Sequence, residues 1–85
     1  MASKTVTVGS AVGLHARPAA LIAQAAAEYD DAITLQMAGG SAVDAASPMM
    51  IMTLGAERGA EVTVASDNAD AVEAISSLIE RDLSE

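Results

Sequence analysis

The sequence predicts an α+β fold. It is a two-layer, open-faced β-sandwich in which a four-stranded, mainly antiparallel sheet carries three helices on one face. Three observations lead there. Polar and apolar residues alternate at Val6–Val8, Ile33–Met37 and Val62–Val64, the two-residue period of strands with one buried face. Apolar residues between and after these runs follow helical spacing instead. Gly39-Gly40 marks a hairpin, and a hairpin joined to helical crossovers gives the order β-α-β-β-α-β-α. At 85 residues the chain has room for one small domain, taken as residues 1–85.

Each element has a local cause. Lys4-Thr5-Val6-Thr7-Val8 is β-branched and alternating, so it reads as the first strand. Gly9 to Gly13 is a loop by its glycines. Pro18 then falls in the first turn of a helix, where a missing N–H removes no bond. Leu21, Ile22, Ala25 and Ala26 follow at helical spacing, and the helix is expected to end near Glu28–Asp30. Ile33–Met37 forms the second strand and Ser41–Asp44 a short third, with Val43 facing inward. Ser47-Pro48 reads as an N-cap and a first-turn proline, opening a helix over Met49–Leu54 that Gly55 closes. Glu61–Ala65 is the fourth strand. Asp67 or Asn68 caps a last helix whose buried face is Val72, Ile75, Leu78, Ile79 and Leu83.

Composition narrows the functions. Four basic residues face twelve acidic ones, a formal net charge of −8, which speaks against holding nucleic acid or an anionic membrane by charge. Aromatic residues make up 1%, so there is no platform for base stacking. With no cysteine, a disulfide staple or a thiolate metal site is impossible, and the carboxylates show no metal-ligand spacing. No segment approaches the about 20 apolar residues of a membrane span, and the start has no signal-peptide pattern. A cytoplasmic protein is expected.

The chemistry concentrates around the one histidine. His15 stands where the glycine-containing loop runs into the first helix. As the N-cap it would face the free N–H groups of the first turn and the positive end of the helix dipole, an anion site. Arg17 adds a fixed charge and a guanidinium fork suited to phosphate oxygens. An imidazole nitrogen with a free lone pair in that setting can accept a phosphoryl group. The plainer reading is that His15 only caps and Arg17 pairs with an acidic neighbour.

The run Gly13-Leu14-His15-Ala16-Arg17-Pro18-Ala19 resembles the signature of the HPr family. These are the histidine-containing phosphocarriers of the phosphoenolpyruvate-dependent sugar phosphotransferase system. Length, element order, the Ser47 region and the closing helix extend the likeness to essentially the whole chain. The resemblance implies an open-faced sandwich of four strands and three helices. It implies that His15 takes a phosphoryl group on Nδ1 from phosphorylated enzyme I and passes it to the A component of a sugar-specific enzyme II. Arg17 would help hold the group. The protein would be a carrier with a covalent phosphohistidine intermediate rather than an independent enzyme, with no cofactor. It would be a monomer, since its active face must stay open.

The family's second site is a serine at the start of the short helix, phosphorylated in some bacteria by an ATP-dependent kinase. Ser47 occupies that position, though a serine before a first-turn proline is also a good N-cap on structural grounds alone. Ala46 stands where the family often has lysine and Pro48 where a large aliphatic is usual, departures that bear on recognition by a serine kinase or a transcriptional regulator. Carried over residue by residue, the family's docking face would comprise His15, Ala16, Arg17, Pro18, Ala20, Gln24, Pro48, Met49 and Met52. Gln24 and Ala27 replace lysines that can occur on that helix face, so docking should lean on apolar contact more than on charge.

Other readings remain in view at this level. A carrier of a nitrogen-related phosphotransferase branch would share His15 and Arg17. A small α+β regulatory or ligand-binding domain would leave the His15-Arg17-Pro18 cluster unexplained. A carrier of a serine-linked prosthetic group would normally be all-helical, against the strand alternation seen here.

Overall fold

The computed structural model describes residues 2–9 and 13–81. Four strands form where alternation predicts them: β1 (Ala2–Thr7), β2 (Ile33–Met37), β3 (Val43–Asp44) and β4 (Glu61–Ser66). Val6, Ile33, Leu35, Val62 and Val64 are buried on one face, while Thr5, Thr7, Gln36 and Glu61 are exposed on the other. The sheet order is β1-β4-β2-β3 and every pair is antiparallel. β1 and β2 therefore run parallel with β4 between them, so the crossover through the first helix spans one strand position. The open face is polar, and there the Thr5 and Thr63 hydroxyls share a hydrogen bond of 2.8 Å across the β1–β4 ladder.

Three helices cover the buried face: α1 (Ala16–Ala26), α2 (Pro48–Thr53) and α3 (Ala69–Glu80). Their inward residues, chiefly Ala19, Ile22, Ala23, Ile51, Val72, Ile75 and Ile79, join the strand valines in one aliphatic core. α3 lies against β1 and β4, and α1 packs between α2 and α3. α2 has six residues. Isolated helices below about 12–15 residues are marginal in water, so Ile51, fully buried, and the Ser47 cap hold it.

The boundaries differ from expectation in physical detail. Val8 lies beyond β1, because its backbone bonds Ala60 and Gly59 in a loop instead of extending the ladder. α1 closes at Ala26, short of Glu28–Asp30, since Glu28 and Tyr29 donate to Ala25 and Ala26 and tighten the turn to i→i+3 spacing. β3 is two residues long and Val43 is half-buried. Asn68, not Asp67, caps α3, and β4 runs on through Ser66. Leu83 lies outside the described residues, as do residues 10–12 of the first loop.

Candidate functional site

The site begins with the loop that delivers His15. Gly13 has a φ of +72°, a conformation L side chains rarely adopt. A Cβ on Gly13 would sit 2.5 Å from the Ala56 carbonyl oxygen. The same oxygen accepts from the Leu14 N–H at 2.8 Å, and Leu14 is buried. The chain just ahead of His15 is thus pinned to the segment that follows α2. A Cβ on Gly9 would collide with the Glu80 carbonyl, so the start of the loop is held against the end of α3.

His15 is the N-cap of α1, in extended conformation, and its side chain makes no capping hydrogen bond. It is exposed, as are Ala16 and Arg17. Pro18 at the third helical position has no N–H, and Ala19 donates to the His15 carbonyl at 2.8 Å as the first intrahelical bond. That leaves the N–H groups of Ala16 and Arg17, unpaired among the described residues, at the positive end of the helix. No acidic residue stands in this first turn, and no carboxylate of the described residues forms an ion pair with Arg17. Among the described residues, then, His15 stands at the cap position without a capping bond and Arg17 has no acidic partner. Two backbone donors, a guanidinium and an imidazole without partners among the described residues meet at one helix end, a set that can hold a phosphoryl oxygen while a ring nitrogen attacks phosphorus.

Around this end lies an apolar surface. Among the described residues, the large apolar side chains left exposed are Leu21 (40%), Met49 (72%), Met50 (42%) and Met52 (41%), all on the packed pair α1 and α2. Ala20, Gln24 and Pro48 are exposed as expected of a docking face. Pro18 is not: it is fully buried, because the third helical position turns its ring beneath the helix end. Leu21 is the converse correction. The buried stripe is Pro18, Ala19, Ile22, Ala23 and Ala26, which sets Leu21 outward. Sequence reasoning missed Leu21 and Met50 as surface residues. The signal was available, since Ala19, Ile22, Ala23 and Ala26 fit helical spacing better than a stripe through Leu21.

Ser47 is half-buried, and its Oγ accepts from the Met50 N–H at 3.3 Å. The backbone around Met50 is bound a second time where the Thr53 hydroxyl donates to the Met50 carbonyl. No helix of the described residues is long and apolar enough to cross a membrane.

With this geometry in hand, comparison with known proteins is specific. The family described as "PTS HPr component phosphorylation site" matches residues 2–81. A relative from Streptomyces coelicolor, "Phosphocarrier protein HPr", is 46% identical over 67 residues, covering 79% of this chain and 72% of its own length. The crystal structure of HPr-C-His from Thermoanaerobacter tengcongensis aligns with a TM-score of 0.88 at 35% identity, over 100% of this chain and 98% of that one. The phosphocarrier protein HPr of Bacillus anthracis aligns with a TM-score of 0.84 at 34% identity, over 92% and 95%.

Proposed function

Because the chain belongs to the HPr family of phosphotransferase-system phosphocarriers, we propose that His15 accepts a phosphoryl group from phosphorylated enzyme I, with phosphoenolpyruvate as the ultimate donor, and passes it to the A component of a sugar-specific enzyme II. One observation carries this reading. His15 is an exposed N-cap with no capping bond, beside two unpaired N–H groups and an arginine free of ion pairs among the described residues.

The step follows from those groups. The Nδ1 lone pair attacks phosphorus. A nitrogen–phosphorus bond forms as the bond from phosphorus to the donor atom breaks, and that electron pair leaves with the donor. The Ala16 and Arg17 N–H groups and the Arg17 guanidinium are placed to take the phosphoryl oxygens' charge. These groups are exposed, which keeps the stabilisation modest, so the group can move on to the next acceptor. The apolar surface of Leu21, Met49, Met50 and Met52, with Ala16, Ala20, Gln24 and Pro48, would dock both partners. Flexible thioethers suit a surface that must repack against unlike proteins. The carrier would act in the cytoplasm as a monomer, which light scattering at working concentration would check.

Labelled phosphoenolpyruvate with a cognate enzyme I tests the reading. Label should enter the wild-type chain, be absent from His15→Ala, fall off in acid and survive in base. Label retained by His15→Ala, or none on the wild type, would overturn it. Which enzyme I reacts separates the sugar system from a nitrogen-related branch.

A further inference from the structure

The chain has no cysteine and no tryptophan, so its five methionines are its most readily oxidised side chains. Three of the five stand on α2, a helix of six residues. Met49 is 72% exposed, and Met52, one turn on, shares its face. Met37, by contrast, is half-buried against the core. Among the described methionines, a peroxide therefore meets the α2 sulfurs before that of Met37.

The structure separates these sulfurs from what holds α2 in place. Ile51 anchors the helix in the core, Ser47 caps it, and Thr53 binds its backbone. None of these contacts uses a thioether. Oxygen added to Met49 or Met52 would leave the fold as it is and change only the surface. That surface is the one assigned above to partner docking, where contact is apolar. A sulfoxide oxygen buried there without a donor is a desolvated, unpaired polar group.

We propose that Met49 and Met52 form a peroxide-sensitive modification site whose sulfoxidation weakens docking of the phosphoryl-transfer partners. This rests on the carrier reading. In the step, a sulfur lone pair attacks one peroxide oxygen, a sulfur–oxygen bond forms and the oxygen–oxygen bond breaks. The departing oxygen takes up the protons and leaves as water. Sulfur is oxidised by two electrons and hydrogen peroxide reduced by two. Thiol-dependent methionine sulfoxide reductases, one for each epimer, reverse it.

The test treats the purified chain with hydrogen peroxide, removes the peroxide with catalase, and only then adds enzyme I and labelled phosphoenolpyruvate. Peptide mass spectrometry follows each sulfur and confirms His15 unmodified. Met49 should oxidise faster than Met37 and the thermal midpoint should stay unchanged. The KM of enzyme I for the carrier should rise about tenfold with kcat held, and reductase treatment should restore it. Met50, as exposed as Met52, is held as leucine in every chain tested; on that Met50→Leu background a Met49→Leu/Met52→Leu chain, whatever its starting KM, should keep that KM through the same treatment. An unchanged KM after full sulfoxidation of Met49 and Met52 would overturn the proposal. So would an increase in KM that persists in the double variant. Absence of label before any peroxide would remove the carrier reading and the switch with it.

Discussion

Two helix beginnings in this molecule are built from opposite principles. At the start of α3, Asn68 Oδ1 accepts from the Asp70 and Ala71 N–H groups at 3.0 and 3.2 Å. Asp70 adds a negative charge to the first turn, and the Asn68 amide reaches on to Asp31. That end is closed. At the start of α1 the N-cap side chain accepts nothing, the first turn carries no acid, and two N–H groups are left over among the described residues. A good cap is worth about 1 kcal/mol, so the open end forgoes stability that its counterpart shows the fold can obtain. Donors without partners among the described residues at an exposed helix end, with an imidazole and an arginine beside them, are what the proposed phosphoryl transfer would require.

Closing the open end is the sharpest way to break the contrast. His15→Asn should cap α1, raising stability by about 0.5–1 kcal/mol in urea denaturation, while abolishing label from phosphoenolpyruvate. A chain made no more stable would mean that the α1 donors are already satisfied. Arg17→Ala should lower kcat/KM for phosphoryl transfer by about 10- to 100-fold, the worth of a lost charge-assisted bond. Arg17→Lys should recover only part of that, because it restores the charge without the fork.

The next effects are on stability. Gly13→Ala forces a side chain into both the positive φ and the Ala56 carbonyl. It should cost about 2–4 kcal/mol and misplace His15, so transfer should fall along with the urea midpoint. Asn68→Ala at the closed end should cost about 1 kcal/mol and leave transfer alone. Loss of transfer in that variant would mean that the two ends are coupled. The smallest effect is ionic. Docking through apolar contact should change partner affinity by less than about threefold between low and high salt. A steep fall would show that charge, not the methionine surface, carries it.

Much of this architecture was legible in the sequence, and the reasons are local. Val6, Ile33, Leu35, Val62 and Val64 announced their strands because a two-residue period survives whatever packs on it. His15 as N-cap followed from a glycine loop meeting an early proline. The N-cap Ser47 was readable from side-chain chemistry alone, which narrowed the last cap to Asp67 or Asn68 without choosing between them. What could not be read depended on distant partners. Gly13 marked a turn, but its contact with Ala56 belongs to the tertiary fold. Pro18 is buried where an exposed docking residue was expected, because the burial of a helix end is decided by the neighbours it meets, here α2 and α3. β3 shrank to two residues because only Val43 and Asp44 find ladder partners on β2.

The order of the sheet sets a timetable. Ala2 pairs with Ser66 and Thr7 with Glu61, so every rung of the β1–β4 ladder joins residues from opposite ends of the described chain. β1 lies at the sheet's edge and has no other strand neighbour among the described residues, so it waits for β4. The loop ahead of His15 waits in the same way for Ala56 to arrive. Pairings of such long range are slow to form, because loop entropy is lost before contacts repay it. The histidine lies early in the sequence, yet in refolding it should become competent to take label late, in step with closure of the sheet rather than with formation of its own helix.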